Sequence, residues 1–398
     1  MGGGLSAARL ERMGCVLGGY VDRGEIPGLV ALVSRRGETH VHALGTLAAG
    51  GGEPVRRDTL FRVASLSKPV AAVGAMVLVE ECRIRLDDAV TEWLPELANR
   101  RVLVRPDGPV DETEPARRDI TVRDLLTCKL GIGHLMDRWG ELPIHQAFRE
   151  AGILQGPPRP GTTPPPDEWM RRVGSLPLVH QPGERWMYDL GIDILGVLIA
   201  RAAGQPLEAF LRDRVFGPLG MKDTAFSVGP GQIHRLATAY APDASGAVAL
   251  YDAREGEWSR PPAFPSAAGG LVGTADDFLA FGRMMLGGGR LGGERVLSRP
   301  SVMAMTTNQL GPGDTAGSEM ILPAHRGWGF GISVVTGRDD VYASPGRFGW
   351  DGGLGTSWYC DPAEDLVAVL MTQVAWTSPV GPRVWNDFWT CTYASIDD

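Results

Sequence analysis

Strand-forming segments lie near both ends of the chain, and the region between them has the pattern of helices and turn-rich loops. The β-rich run Gly28–Ser34 and the segment Thr39–Leu44 that follows it predict a hairpin near the N-terminus. Three later runs, Phe330–Thr336, Thr356–Tyr359 and Leu366–Thr372, predict strands near the C-terminus. A sheet assembled from both termini, with a helical region inserted between them, follows from this order. We therefore expect an α/β (α+β) fold.

The expected domain division follows from the same pattern. Residues 1–81 and 265–398 would form the α/β domain, and residues 82–264 a mainly helical inserted domain. Substrate clefts commonly lie between such lobes, so the active site is expected there. Helices are predicted over Leu5–Val21, Pro69–Glu81, Ile192–Ala203, Leu207–Val215, Asp276–Leu286 and Arg383–Ala394.

Composition and charge argue against several classes of protein. The 398 residues are 43% hydrophobic and carry a formal net charge of −8 without a basic run, so nucleic acid is not an expected partner. No uncharged apolar run reaches the ~20 residues of a membrane span, and Met1–Met13 lacks a signal-peptide pattern. A soluble, cytoplasmic protein of undefined oligomeric state is expected. The five scattered cysteines favour reduced thiols over disulfides or a metal site.

The first candidate catalytic motif is Ser65-Leu66-Ser67-Lys68, followed by Pro69. If a helix begins at Ser65, the serine and the lysine share one of its faces. Serine needs a base to act as a nucleophile, and the apolar segment after Pro69 predicts enough burial to lower the pKa of Lys68 toward neutrality. The alternative is structural, with Ser65 or Ser67 as a helix cap and the lysine exposed.

Lysine is rare in this chain. Lys68, Lys129 and Lys222 are the only lysines among 39 cationic residues. Arginine stays protonated, whereas a desolvated lysine can lose its proton. A lysine here is therefore a candidate for a position where arginine would fail.

Two further segments are candidates for the same site. Tyr188 follows a Pro-Gly turn and precedes an apolar helix; in catalysis its phenolate would need a nearby cation, and otherwise it anchors the turn. Trp350-Asp351-Gly352-Gly353 has the pattern of an edge strand whose glycines allow close backbone approach to a ligand. Its N–H groups could complete an oxyanion hole. The alternative is a glycine-rich turn between two strands.

Together these motifs resemble those of the serine β-lactamases and penicillin-binding proteins. Ser65-x-x-Lys68, then Tyr188 in a Pro-Gly-x-x-Trp-x-Tyr setting, then Trp350-x-Gly occur in that family's order. The resemblance extends to the linking segments 120–127, 217–224 and 269–278. It implies a class C-like fold, with an antiparallel sheet flanked by helices and an inserted helical domain.

The resemblance also implies roles for the motif residues. Ser65 would attack the substrate carbonyl, and Lys68 and Tyr188 would share its proton, with the formal base left open. The backbone N–H groups of Ser65 and Gly353 would form the oxyanion hole. The substrate-binding residues would be Trp350, Asp351 and Gly352. Neither a metal ion nor an organic cofactor is implied.

Two departures from the class C pattern bear on the substrate. Leu190 stands where those enzymes carry Asn, and Trp350 where they carry Lys, so the groups that hold the carboxylate and amide of a β-lactam are missing. The motif set is closest to the family VIII carboxylesterases, and the absence of Gly-x-Ser-x-Gly disfavours an α/β-hydrolase.

A serine carboxylesterase acting on short to medium-chain esters, through an acyl-enzyme on Ser65, is therefore the leading hypothesis. A β-lactamase or D-amino-acid peptidase comes second, and an amidase or acyltransferase third. The fourth is a catalytically silent binding module.

Overall fold

The main sheet joins the two ends of the chain, as the sequence pattern predicts. The protein is described by a computed structural model for residues 3–134, 140–153, 156–243, 248–376 and 381–398. Its strands in chain order are β1 (Gly28–Arg35), β2 (Glu38–Gly45), β3 (Phe61–Arg62), β4 (Arg101–Leu103), β5 (Thr113–Pro115), β6 (Ala239–Pro242), β7 (Val248–Asp252), β8 (Val272–Gly273), β9 (Arg290–Leu291), β10 (Glu294–Arg295), β11 (Arg326–Trp328), β12 (Ser333–Val335), β13 (Phe348–Gly352), β14 (Thr356–Asp361) and β15 (Leu366–Thr372).

Seven of these strands form one antiparallel sheet in the order β11-β12-β13-β14-β15-β1-β2. The two termini meet where β1 pairs with β15, from Leu29 opposite Thr372 to Arg35 opposite Leu366. Every residue of β1, β14 and β15 is buried, which explains why β1 and β15 are largely apolar runs rather than alternating strands. The buried strand β14 also carries the polar residues Thr356, Ser357 and Asp361. The remaining short strands form two-stranded pairs.

The α-helices of the described residues cover the sheet and build the inserted region. They are α1 (Ala7–Asp22), α2 (Ser67–Glu80), α3 (Val122–Leu126), α4 (Pro143–Glu150), α5 (Pro166–Ser175), α6 (Leu190–Ala203), α7 (Leu207–Leu211), α8 (Gly217–Leu219), α9 (Ala275–Leu286), α10 (Arg299–Met305) and α11 (Arg383–Ala394).

The two faces of the sheet are covered by different helices. Alternate residues of β1, such as Leu29 and Ala31, pack with α1 and α11, while Val30 and Leu32 belong to the large core that includes α2 and α9. Twelve of the 14 residues of α2 are buried, since this helix lies between the sheet and the inserted region and contacts α6. A helix that is apolar all round requires such a central position.

The fold prediction is confirmed, with local differences. The expected strand Phe330–Thr336 is limited to β12, because the residues before it form the turn from β11. Strand β11 pairs with β12, and the sequence analysis did not predict it. The boundaries at 81/82 and 264/265 stay predictions. In the described residues, no single helix is long and apolar enough to cross a membrane; Leu190–Ala203 and Leu207–Leu219 reach that length and apolarity only as a pair bent by 80°.

Candidate active site

Ser65 lies in a single 3₁₀ turn, Ala64–Leu66, that leads directly into α2. Ala64 adopts a left-handed backbone conformation with φ of 46°, which costs a non-glycine residue about 1–2 kcal/mol. Ala64 and Leu66 are buried, whereas Ser65 is partly exposed. The strained turn therefore presents the serine hydroxyl to the outside of the core, two residues before the α-helix begins.

Ser67 has a structural place in the same turn. Its side chain is buried, and its Oγ donates to the carbonyl of Ala64 at 2.7 Å and accepts from the backbone N–H of Leu271 at 3.1 Å. The hydroxyl thus ties the turn to the segment that enters β8. Ser65, and not Ser67, is the serine available for chemistry.

Lys68 is fully buried, and its Nζ contacts three oxygens. They are Ser65 Oγ at 2.9 Å, Asp189 Oδ1 at 2.6 Å and the carbonyl oxygen of Ala268 at 2.8 Å. The ionised carboxylate and the carbonyl can only accept, so they engage two N–H bonds of the lysine. The third direction around Nζ faces Ser65 Oγ. There a charged lysine donates a hydrogen bond, whereas a neutral lysine can accept one from the serine hydroxyl. The alternative of an exposed lysine is wrong.

The expectation of a lowered pKa for Lys68 is also wrong. Burial does lower this pKa, but the charge of Asp189 and the contact with Tyr188 together raise it by more, so the net pKa lies above the usual value. In turn, burial raises the pKa of Asp189, and Lys68 and His134 together lower it by more. The site therefore holds an ammonium beside a carboxylate. The sequence indicated the burial of Lys68 but not its contact with the Asp189 carboxylate.

Tyr188 lies against the lysine, whose Nζ is 4.5 Å from the ring centroid. The indole N–H of Trp350 donates to Tyr188 Oη at 2.6 Å. Burial raises the pKa of Tyr188, while the charge of Lys68 and hydrogen bonds with Ser65 and Trp350 counteract part of that rise. The surroundings of the hydroxyl thus favour a phenolate more than burial alone would allow. The rings that enclose it are those of Trp186, Trp328 and Trp350.

Asp189 and two neighbours are site residues that the sequence analysis missed. Asp189 has φ 86° and ψ −72°, an uncommon conformation for a non-glycine residue, and its Oδ2 lies 3.6 Å from His134 Nε2. Asp193, one helical turn later, accepts from Ser266 Oγ at 2.8 Å and from the N–H of Ala268 at 2.9 Å. Burial and the charge of Asp189 raise the pKa of Asp193 to about 6. The available signal was two aspartates four residues apart at the start of an apolar helix.

The glycine-rich end of β13 lies beside the nucleophile turn. A Cβ on Gly352 would come within 2.4 Å of the Val63 carbonyl oxygen and 2.1 Å of Thr356 Oγ1, so glycine lets the strand approach the segment before Ser65. A Cβ on Gly353 would instead meet open space, and Gly353 lines the cavity. Within the described residues, the N–H groups of Ser65 and Gly353 donate to no backbone carbonyl, which suits an oxyanion hole.

Asp351 and Trp350 point to different partners. Trp350 is 6% exposed and contacts Tyr188 at the cavity wall. The carboxylate of Asp351 accepts from Ser357 Oγ at 2.5 Å and Tyr359 Oη at 2.8 Å, and burial raises its pKa. Asp351 thus belongs to a hydrogen-bond network beside the catalytic cluster.

These groups open onto one cavity of about 730 Å³, a volume suited to a small organic molecule. Ser65, Tyr188 and Gly353 line it together. Its apolar wall includes Pro158, Leu190, Phe264, Ile321, Leu354 and Trp376. No group of three or more His, Cys, Asp or Glu side chains in the described ranges is arranged to hold a metal ion.

The chain is similar to proteins of known family. The family model described as "Beta-lactamase" matches residues 16–383. Protein Rv1367c of Mycobacterium tuberculosis is 39% identical over 360 residues, covering 88% of this chain and 87% of the relative. Esterase EstB of Burkholderia gladioli is 33% identical over 402 residues, covering 95% and 94%. The structure of EstCE1, a hydrolase with promiscuous acyltransferase activity, superimposes with a TM-score of 0.79 at 26% identity, covering 97% of this chain and 99% of that one.

Proposed function

The chain belongs to the beta-lactamase family and is a serine hydrolase of that fold, and from this premise we propose that it hydrolyses carboxylic esters through an acyl-enzyme on Ser65. The observation that carries the proposal is the contact of Ser65 Oγ with a fully buried Lys68, at 2.9 Å, on the wall of an apolar cavity. The likeness to Esterase EstB over nearly the whole length of both chains supports the ester substrate. A match to the family VIII carboxylesterases, with short to medium acyl chains, is part of the proposal.

The proposed reaction has two halves. Ser65 Oγ bonds to the ester carbonyl carbon while its proton passes to the pair formed by Lys68 and Tyr188. The N–H groups of Ser65 and Gly353 hold the resulting oxyanion. The carbon–oxygen bond to the alcohol breaks, and the alcohol leaves with the proton from the pair. Water then repeats these steps on the acyl-enzyme, which releases the acid and returns the proton to Ser65.

The protonation state of the pair sets when this can begin. The pKa values of Lys68 and Tyr188 are both raised, so at neutral pH the pair is mostly ammonium and phenol. One proton must leave the pair before it can accept another from Ser65. The value of kcat/KM should therefore increase with pH along a limb that belongs to the coupled pair and not to either residue alone.

Asp189→Asn is expected to move that limb to lower pH by about one unit or more, since an adjacent charge shifts a pKa by roughly 1–3 units. The carboxylate raises the pKa of Lys68; removing its charge lowers that pKa, so the active form appears at lower pH. Asp193→Asn is the matched control. It removes a carboxylate one helical turn after Asp189, the aspartate that contacts Lys68, so it should shift the pH limb of kcat/KM less. Profiles of kcat/KM against pH test this, and a limb that stays in place or rises in Asp189→Asn would contradict the role of Asp189.

The choice between ester and β-lactam depends on what each substrate needs. A simple ester needs a nucleophile, a base and two backbone donors. A β-lactam also carries a carboxylate within a few bonds of the reacting carbonyl, and a buried charged group left unpaired costs more than about 1–3 kcal/mol. Leu190 and Trp350 line the cavity, and they stand at the motif positions where class C enzymes carry Asn and Lys. Neither side chain can pair with the amide and the carboxylate of a β-lactam.

We expect kcat/KM for a short-chain p-nitrophenyl ester to exceed that for nitrocefin by at least ~10²-fold, the equivalent of about 2.7 kcal/mol. The two rates are measured spectrophotometrically on the same preparation. Nitrocefin is an activated substrate, so slow hydrolysis agrees with the proposal. An efficiency on nitrocefin equal to or above that on the ester would replace the esterase by a β-lactamase.

Acyl transfer is a second candidate, favoured by the likeness to EstCE1 and its reported dual activity. The apolar wall of the cavity would hold an alcohol in place of water at the acyl-enzyme. Product analysis with a p-nitrophenyl ester and an added primary alcohol tests it. A new ester among the products supports transfer, and free acid alone supports hydrolysis.

A further inference from the structure

Arg347 is a buried cation for which the described residues supply no ion pair. It immediately precedes β13 and is 2% exposed. Its Nε and Nη2 atoms are buried and have no hydrogen-bond partner, and its guanidinium forms no ion pair within the part of the chain that the structure describes. Burying a charge in this way is costly unless another group pairs with it.

Aromatic rings compensate only part of that cost. The guanidinium carbon lies 3.9 Å from the ring centroid of Tyr359 and 4.1 Å from that of Trp389, and such cation–π contacts attract the charge without accepting its N–H bonds. The nearby carboxylate of Asp351 accepts from Ser357 and Tyr359, and the charge of Arg347 counteracts part of the rise in its pKa that burial causes, but it forms no hydrogen bond or ion pair with the guanidinium. Among the residues that the structure describes, the cation is thus enclosed by rings, and its Nε and Nη2 atoms have no hydrogen-bond acceptor.

The position of Arg347 connects it with the catalytic cavity. Arg347, Tyr359 and Trp389 line the same cavity as Ser65 and Gly353. We propose that Arg347 is a carboxylate subsite, so that the enzyme prefers esters bearing a second, ionised carboxyl group remote from the ester bond; this rests on the proposed esterase function. A planar guanidinium pairs well with a carboxylate, and a single cation between aromatic rings matches one negative charge better than a doubly charged phosphate.

The register of the sheet sets the expected spacing. Tyr359 lies opposite Gly349, and its hydroxyl reaches Asp351, so the guanidinium lies at the level of residues 349–351. Tyr359 and Trp389 pack on the face of the sheet that α1 and α11 cover, so the cavity reaches Arg347 from the side of β13 opposite to α2. These residues are two to four positions before Gly353, roughly 7–13 Å along a strand. That distance spans a chain of several methylene groups, and it is too long for the carboxylate of a β-lactam, which lies within a few bonds of the reacting carbonyl.

Wild-type enzyme tests the subsite on both sides of the ester bond. Mono-p-nitrophenyl suberate is compared with p-nitrophenyl octanoate, and the butyrate ester of 6-hydroxyhexanoate with hexyl butyrate. We expect the charged ester to have a kcat/KM at least about tenfold higher in one pair, in line with a charge-assisted hydrogen bond, and the preference to weaken in the succinate analogue. Neutral esters equal to or better than the charged ones in both pairs would overturn the proposal while leaving the esterase function intact.

Binding without turnover separates the two proposals. Suberate and 1,8-octanediol are titrated calorimetrically into wild-type enzyme, and suberate is expected to bind at least about tenfold more tightly. Equal binding overturns the subsite whether or not any ester is hydrolysed. Arg347→Met should abolish the difference and Arg347→Lys should retain part of it. Arg326→Met is the matched control, since Arg326 lines the same cavity and is already paired with Asp339 at 3.5 Å.

Discussion

Ser65→Ala is expected to lower ester hydrolysis by about 10⁴-fold or more, because loss of a nucleophile removes the covalent route and leaves only binding and oxyanion stabilisation. The partly exposed hydroxyl lies 2.9 Å from Lys68 Nζ at the end of a strained turn. Alanine removes that hydroxyl without adding atoms to the turn. The measurement is kcat/KM on a short-chain p-nitrophenyl ester, with the thermal unfolding temperature as a check that the variant is folded.

Ser67→Ala is the matched control two residues away. It removes hydrogen bonds to Ala64 and Leu271, so it should lower stability by about 1–3 kcal/mol and keep much of the activity. A fluorophosphonate probe should label the wild type and Ser67→Ala but not Ser65→Ala, since only an activated serine reacts. Near-native turnover by folded Ser65→Ala would remove the basis of the whole site, and failure to label the wild type would support a catalytically silent module.

The architecture could be predicted because its causes are local in the sequence. Strands β1 and β15 are buried on both faces, so each is largely a short apolar run, and α2 is apolar all round for the same reason. A sheet joining the two termini followed from strands near both ends of the chain, whereas the specific pairing of β1 with β15 is seen only in the structure. The short β11 was missed because its three residues, Arg326–Trp328, carry no apolar periodicity and are fixed only by pairing with β12.

The electrostatics of the site could not be predicted, because they depend on contacts between distant segments. Lys68 meets the carbonyl of Ala268, 200 positions later, and the carboxylate of Asp189, 121 positions later. Burial alone predicted a lowered pKa for Lys68, and the unseen carboxylate reversed the sign. The environment of Arg347 is equally non-local, since it depends on every segment packed around the guanidinium. Among the described residues, none of these segments provides a hydrogen-bond acceptor for Nε or Nη2.

The tryptophans show the limit of composition as a guide. The chain has eleven tryptophans, and Trp186, Trp328, Trp350 and Trp358 lie near motif positions, a pattern that favours an aromatic cleft. Trp350 does line the cavity. Trp358 is instead fully buried, and its indole N–H donates to the carbonyl of Phe278 on the α9 face of the sheet. On β13 and β14, Trp350 and Trp358 lie opposite each other. Their environments differ because Trp358 packs on Phe278 and Phe281 of α9, whereas Trp350 packs on Tyr188 and Trp328.

Lys68→Arg is expected to lower kcat by at least ~10²-fold, comparable with the loss of a general base, even though the substitution keeps the positive charge. Nζ occupies a fully buried position between Ser65 Oγ, Asp189 and the Ala268 carbonyl, with each contact between 2.6 and 2.9 Å. A guanidinium is larger and planar, and it cannot lose a proton in a protein. If Lys68 is the base, arginine should fail because it neither fits the site nor loses a proton. If Lys68 is the cation that stabilises the Tyr188 phenolate, arginine should fail because it does not fit.

The matched control for Lys68→Arg is Lys222→Arg, since Lys222 is exposed and the change should leave kcat within about twofold, as surface substitutions usually do. Both variants are compared with the wild type in kcat, KM and thermal unfolding temperature. If Lys68 is the cation that stabilises the Tyr188 phenolate, small external amines should restore little activity to Lys68→Ala, because the phenolate needs a fixed cation. If Lys68 is the base, a diffusing amine can replace it and should restore more. A folded Lys68→Arg enzyme with normal kcat would show that Lys68 only supports the structure, and the proton of Ser65 would then have to leave through Tyr188 without its help.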